Sequence, residues 1–387
     1  MSVTITQLLQ YLVQHKGSDL HVAAGSVPMV RIRGDLMKVG GAPALSVQDI
    51  EAMAAQITTN PQKAELQKDK SIDFAFKASG IGIFRVNLFY QRNGLAIVMR
   101  ILTEKPPTLE DLKLPEACKV ATSLPNGLVL VTGPTGSGKS TTLAAMLNHI
   151  NMNVNGHILT LEDPIEFQHE SKLCMVNQRS LGSHFTTFAS AMRAALREDP
   201  DIILVGEMRD PETIALAIKA AETGHLVFST LHTNSAAKTI DRMINVFPAD
   251  EQPQIRTVLS ETLRMVIAQK LVPSADKSRR YCIHDILVNN NAVANLVREG
   301  KTFQIPSIMQ TGRKEGMQLA DKVMLEQVEK GEIDGSVAYE YAAEKSMFAK
   351  WAPKNPFGFV EKPEPGAPGT PAAPAAPGMP PGVKKAA

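Results

Sequence analysis

Apolar and polar positions along the first hundred residues change period several times. Ile5, Leu8, Leu9, Leu12 and Val13 keep helical spacing and predict a first helix that stops at Gly17. Short apolar runs at 20–23 and 29–32 read as strands, with Arg33-Gly34-Asp35 as a turn before Leu36. Ser46 with Asp49 resembles a capping pair that opens a helix, and Asn60 before Pro61 is another start signal. Two β-rich runs, 83–91 and 95–102, flank Arg92 and Asn93-Gly94, a strong hairpin signal. A two-residue loop there pairs Arg92 with Leu95. In that register Phe84, Val86, Leu88 and Tyr90 share a core face with Ile97, Met99 and Ile101. The opposite face carries Arg85 and Arg100 as diagonal neighbours, a pair that could hold an anionic group or simply stand in solvent. These elements add up to a small mixed α/β domain.

Beyond Glu104-Lys105-Pro106-Pro107, where two prolines deny ladder hydrogen bonds and mark a linker, the pattern becomes strand and helix in alternation. Runs at 128–131, 157–161, 172–176, 202–205 and 226–230 predict strands, and 188–196 and 214–221 predict helices between them. That order implies a mostly parallel sheet, an α/β architecture that takes its ligands at the carboxyl ends of its strands. From Asn234 onward the spacing turns largely helical, at 236–246, 254–271, 293–298 and 319–330, with one strand at 281–288. The stretch 351–387 holds ten of the 25 prolines with much Ala and Gly, too little apolar surface to offset its ordering entropy, and is expected to be a disordered tail.

Composition narrows the class. A chain of 387 residues is too long for one ordinary core, so two domains with appendages are expected. The net charge of +2 removes any dominant attraction to nucleic acid or an acidic membrane. Cys118, Cys174 and Cys282 are scattered and odd in number, which points to a reducing compartment without a disulfide framework or zinc knuckle. No leader-like N-terminus and no long apolar run is present, so a cytoplasmic protein that meets a membrane only through partners is expected.

The chemistry centres on Gly133-Pro134-Thr135-Gly136-Ser137-Gly138-Lys139-Ser140, which follows the apolar run 128–131 and leads into a helix opening at Thr141. Glycines let the backbone turn its amides toward phosphate oxygens, Lys139 adds a point charge, and Ser140 offers a hydroxyl to Mg²⁺. Three polar clusters follow other strands of the same sheet: Glu162-Asp163-Pro164-Ile165-Glu166, Gly206-Glu207, and His232. Splitting a phosphate bond needs a metal held by oxygens and a carboxylate that positions water, and Glu207 after four apolar residues occupies the place of a Walker B acid. The carboxylates at 162–166 read equally well as an ordinary loop. His225 and His232 cannot both point the same way on a regular strand, and either alone is more often structural.

Taken together the chain resembles the type IV pilus retraction ATPases, a PilT-like branch of the secretion ATPase superfamily, over about residues 1 to 345. The resemblance rests on Gly17-Ser18-Asp19-Leu20-His21, the Walker A loop, 161–167, 199–210 and Ala221-Glu222-Thr223-Gly224-His225. It implies a PAS-like first domain (1–103), a linker with leading helices (104–124), a RecA-like ATPase domain with a helical C-terminal part (125–350), and the tail (351–387). By the same resemblance Glu166 sits at the catalytic-glutamate position of the Asp box and Glu207 at the Walker B glutamate. The His box covers 225–232 with His232 as sensor, and Arg85 and Arg100 reach the nucleotide. The implied cofactors are ATP, held by residues 133–141, and Mg²⁺, held by Ser140 and Glu207. The implied assembly is a homohexamer at the cytoplasmic face of the inner membrane, working on a membrane platform protein and pulling pilin from the fibre, with a paralogous pilus ATPase as a further candidate partner. The segment 292–299 departs from the A-I-R-N-L-I-R-E motif of retraction motors, with Ala294 in place of an arginine. Residues 80–82, 90–93 and 271–273 resemble the accessory paralogue PilU. The alternatives are such an accessory scaffold with little turnover, a pilus extension or type II secretion motor, and a RecA-like nucleic-acid translocase, against which the near-neutral charge argues.

Overall fold

The computed structural model describes residues 3–32, 35–102 and 105–353. Two sheets, each with its own core, organise the chain. The first contains β1 (Asp19–Ala23), β2 (Met29–Ile32), β3 (Asp35–Lys38), β4 (Ser71–Ala78), β5 (Gly82–Gln91) and β6 (Gly94–Leu102), all antiparallel in the order β3-β2-β1-β6-β5-β4. One face packs Leu20, Val22, Phe84, Val86, Leu88, Ile97 and Met99 against Leu8, Leu9 and Leu12 of the helix Ile5–Gln14 and Ile50 and Met53 of the helix Val47–Ile57. Each fully buried Leu or Phe there contributes about 1.5–3 kcal/mol relative to exposure. Both helices start as the sequence suggests, the second on a Ser46/Asp49 capping box.

The hairpin forms, but its register differs by two residues from the expected one. Gln91 pairs with Gly94 and Arg85 stands directly opposite Arg100, because the turn centres on Arg92-Asn93 and Gly94, at φ +111°, already belongs to the ladder. A shift of two preserves the faces. Tyr90, however, is exposed rather than in the core. Strand β4 was not anticipated, although Ile72, Phe74 and Phe76 alternate with polar or small residues along it.

The second sheet contains β7 (Gly127–Thr132), β8 (Gly156–Glu162), β9 (Cys174–Ser180), β10 (Ile202–Val205), β11 (Leu226–Leu231), β12 (Leu263–Pro273) and β13 (Arg280–Val288) in the order β13-β12-β7-β11-β10-β8-β9. All pairs are parallel except β12 with β13. Alternate residues of β7 serve opposite cores. Leu128 and Leu130 join Ile203, Val205 and Val227 beneath the helices Phe188–Ala195, Pro211–Glu222 and Ala236–Asn245. Val129 and Val131 join Leu204 and Phe228 beneath the helices Glu116–Thr122 and Lys139–Asn153. Burial on both faces explains the unbroken apolar runs of these strands.

The single helix expected at 254–271 is a helix, Gln252–Thr262, followed by β12. Leu263 turns to extended backbone and the run beyond it docks beside β7, so pairing with a buried strand overrides a pattern that periodicity alone cannot assign. Strand β9 begins two residues later than the expected run at 172–176. Trp351, placed at the head of the tail from sequence, closes a 3-10 turn whose Phe348 is buried, and its ring lies over Gly335 at the start of the helix Gly335–Tyr341. The rest of the expected tail, from 354, lies outside the described residues, as do Arg33-Gly34 and Glu104.

Candidate active site

Strand β7 is buried throughout, so the chain leaves the sheet at Thr132 and the glycine loop begins at its carboxyl edge. Gly133 has φ +147°, and a Cβ there would lie 2.2 Å from the Gln269 carbonyl and 2.6 Å from the Ser137 hydroxyl, so only glycine fits. Lys139 folds back over the loop and donates from Nζ to the carbonyl oxygens of Gly133 at 2.9 Å and Pro134 at 3.2 Å. Burial lowers its pKa, and the charges of Glu207 and Glu166 oppose that shift, which brings all three groups into one field. Ser140 is exposed in the first turn of the helix Lys139–Asn153, with Thr141 half-buried beside it. The Ser137 hydroxyl is buried without a hydrogen-bond partner among the described residues. An orphaned hydroxyl inside a glycine-turned loop at a helix N-terminus, beside a lysine resting on carbonyls, suits an anionic phosphate.

The acids arrive from neighbouring strands. Val205 of β10 pairs with Leu161 of β8 on one side and Ser229 of β11 on the other, so Glu207 emerges between the ends of β8 and β11. Gly206 permits this closeness, since a Cβ on it would meet the Leu161 carbonyl at 3.0 Å and the Glu162 Cα at 3.2 Å. Glu207 accepts from Arg209 Nη2 at 2.7 Å and lies 3.0 Å from His232 Nε2. Burial alone would raise its pKa, but the Arg209 hydrogen bond and charge, with His232 and Lys139, outweigh burial and hold the carboxyl below its usual range. It is thus kept ionised, the state a carboxylate needs if it is to support a metal.

Glu166 is exposed on the loop after β8. That loop is pinned from beneath: Gln178 on β9 donates to the Phe167 carbonyl at 2.8 Å and to Glu162 Oε1 at 3.1 Å, and accepts from the His169 amide at 2.8 Å. Glu162 also accepts from Thr160 Oγ1 at 2.7 Å, yet burial pushes its carboxyl up to about 7. It is a poor candidate for a permanent charge.

The two arginines, opposite each other in the β5/β6 ladder, take different partners. Arg85 borders a cleft of about 360 Å³ between the sheets, whose walls include Asp73, Asp163, Glu166, Ser180 and His184, and its Nε lies 3.7 Å from Asp73. Arg100 is not among the residues lining that cleft and donates to the buried carboxylate of Asp19 at 2.7 Å. His225, at the amino end of β11, has its Nδ1 3.0 Å from the Ala220 carbonyl, away from His232 at the other end. Arg209, Gln178 and Gln269 escaped the sequence reading as site residues. Arg209 stood two positions from the Walker B acid, whereas the two glutamines carry no local signal.

A glycine loop and lysine at the carboxyl edge of a parallel sheet, with acids at the same edge from the ends of β8 and β10, define a P-loop ATPase. The chain belongs to the Type II/IV secretion system protein family, whose profile matches residues 1–344. It is 49% identical over 338 residues to the "Type IV pilus retractation ATPase PilT" of Pseudomonas aeruginosa, covering 87% of this chain and 98% of that one. It is 39% identical over 336 residues to the "Type IV pilus ATPase PilU" of the same organism, covering 87% and 88%. A crystal structure of the pilus retraction motor PilT with bound ADP superposes with a TM-score of 0.85 at 40% identity, covering 90% of this chain and all of that one. Among the described residues no helix is long and apolar enough to cross a membrane.

Proposed function

We propose that this chain hydrolyses ATP to drive retraction of type IV pili, as one subunit of a hexameric ring on the cytoplasmic side of the membrane that acts on a membrane-embedded pilus platform. The observation that carries the reading is geometric: the glycine loop and Lys139 leave the carboxyl end of β7, and Glu207, held by Arg209 and His232, emerges from the same edge of the sheet between the ends of β8 and β11. The likeness to PilT over nearly the whole described chain supports the retraction role.

In this reading Lys139 and the loop amides other than those of Gly133 and Ser137, which donate to Leu231 and Pro134, bind the phosphates, with Thr141 at the helix start. Mg²⁺ would be held by Ser140 and supported by Glu207, and it would supply charge neutralisation to the β- and γ-oxygens. Glu166 orients the attacking water and takes its proton. His232, bonded to Glu207, reports the state of that carboxylate to β11 and the helix Ala236–Asn245 behind it. Arg85 adds positive charge when the cleft between the sheets narrows over the nucleotide. Arg100 supports the same face through Asp19.

Purified protein tests the chemistry: Lys139→Ala should lose ATP binding and turnover, and Glu166→Gln should keep binding while turnover falls at least about 100-fold. Vigorous hydrolysis by either variant would refute the assignment. Deleting the gene tests the direction of work. Excess surface pili with lost twitching support retraction, and bald cells would assign the motor to extension. The accessory, PilU-like reading keeps one observation in its favour, the 39% identity to PilU, and is distinguished by ATP binding with negligible turnover in an intact ring.

A further inference from the structure

Gln269 takes part in none of the roles above, yet it touches the phosphate loop at both ends. It lies on β12, beside β7, and is 3% exposed. Its backbone carbonyl abuts Gly133 at the start of the loop. Its side-chain Nε2 donates to the Ser137 carbonyl at 2.7 Å, and its Oε1 accepts from Thr142 Oγ1 at 2.9 Å. The orientation of this amide is fixed by chemistry. A peptide carbonyl only accepts, so the NH₂ end must face Ser137, and Thr142 must then donate to the other end.

The consequence falls on the next residue. The peptide joining Ser137 to Gly138 is planar and trans, so its C=O and N–H point in opposite directions. Drawing the Ser137 carbonyl toward β12 turns the Gly138 N–H away from β12, to the side where the loop opens. Gly138 caps the helix Lys139–Asn153 at φ +90°, where amides have no intrahelical acceptor, and a Cβ on it would approach Gln269 Nε2 to 3.3 Å. Thr142 is fastened to the same unit a second time, its backbone N–H donating to the Gly138 carbonyl at 2.9 Å. We propose that Gln269 is a positioning residue that aims the Gly138 amide at a phosphate of the bound nucleotide, with Thr142 holding the Gln269 amide in its donating orientation. The proposal rests on the nucleotide-binding reading above.

The test uses ADP with Mg²⁺ as the probe, calorimetry for affinity and amide hydrogen exchange on nucleotide-free protein. Gln269→Met keeps length and loses both hydrogen bonds, and Thr142→Val keeps shape and frees the amide to turn. Losing a correctly aimed charge-assisted donor should weaken ADP binding roughly 10- to 100-fold in Gln269→Met and less in Thr142→Val. The double variant should be no worse than Gln269→Met, because both act through one chain of bonds. Exchange should quicken in 133–142 while the rest of the sheet keeps its protection. Affinity within twofold of wild type in Gln269→Met would overturn the proposal, as would loss of protection spread across the whole sheet. Should Gln269→Met fail to fold, unchanged affinity in Thr142→Val overturns it by itself. Wild-type protein that bound no ADP would overturn the nucleotide reading and this role with it, an outcome distinct from normal wild-type binding with an indifferent Gln269→Met.

Discussion

At the scale of single residues, Glu162 has an environment that conflicts with its charge. It ends β8 directly after the buried run 157–161 and accepts from Thr160 and Gln178, but burial dominates and raises its pKa to about 7 from an ordinary 4.5. The folded protein therefore holds this proton more tightly than the unfolded chain. The stability it contributes is fully present below about pH 4.5 and is lost as pH rises through about 7, where the carboxyl must ionise in place. Glu162→Gln, neutral throughout and still able to accept both bonds through its oxygen, should flatten the dependence of thermal stability on pH between about 5 and 8. Thermal unfolding of nucleotide-free protein across that range is the measurement, and parallel curves for the two proteins would refute the assignment. Glu207, one strand away, is biased in the other sense by Arg209. Neighbouring strand ends thus carry one acid held near neutrality and one held ionised, a division that the residue types alone do not reveal.

Among elements, what the sequence made legible follows from how local the cause is. The glycine loop, the two capped helices of the first sheet and the strands β7, β10 and β11 each announce themselves within a dozen residues, through φ requirements, caps or unbroken apolar runs. Strand β12 does not. Met265 to Gln269 is buried on both faces beside β7, and such a run carries neither the alternation of a half-exposed strand nor a polar helical face. Misreading it as helix also hid Gln269, whose contacts with the loop span more than a hundred residues of sequence. The hairpin register slipped for a smaller reason, the choice of which two residues form the turn. Long-range polar ties were equally silent. Asp285 on β13 is buried and accepts from the Ala236 amide at 2.9 Å and the Ala320 amide at 3.3 Å, joining the first turns of the helices Ala236–Asn245 and Ala320–Glu329 to one strand. Asp285→Ala should leave both amides unsatisfied and cost about 2–5 kcal/mol, with Asp285→Asn costing less. Urea unfolding monitored by circular dichroism checks this, and a loss below about 1 kcal/mol would show that the helices are held by packing alone.

For the whole molecule, the question is how a cleft between two sheets is coupled to chemistry at the edge of one of them. Arg85 and Arg100 face each other across the β5/β6 ladder on the side away from the helices, but their partners differ in kind. Arg100 serves Asp19, whose side chain is 6% exposed and would be left with the Ser18 hydroxyl at 2.7 Å and Arg31 Nε at 4.0 Å without that guanidinium. Arg85 serves Asp73, which is largely in water, and little holds it there. On the proposed reading, Arg85 is therefore the arginine that would exchange its partner for a phosphate on closure, since it lines the same cleft as Glu166. The two substitutions should separate accordingly. Arg85→Ala should leave thermal stability and ADP affinity nearly unchanged while lowering kcat about 10- to 100-fold, the signature of a contact made only on closure. Arg100→Ala should lower the thermal midpoint because the buried Asp19 loses its nearest charged partner, with turnover falling only as far as the folded fraction falls. Steady-state ATPase rates beside calorimetric unfolding resolve the two. A fluorophore pair placed across the cleft should shorten its distance on binding a non-hydrolysable ATP analogue in wild type and less so in Arg85→Ala. Equal closure in both proteins, or a kcat loss in Arg100→Ala beyond its unfolded fraction, would mean that the arginine reaching the nucleotide is not the one the cleft presents.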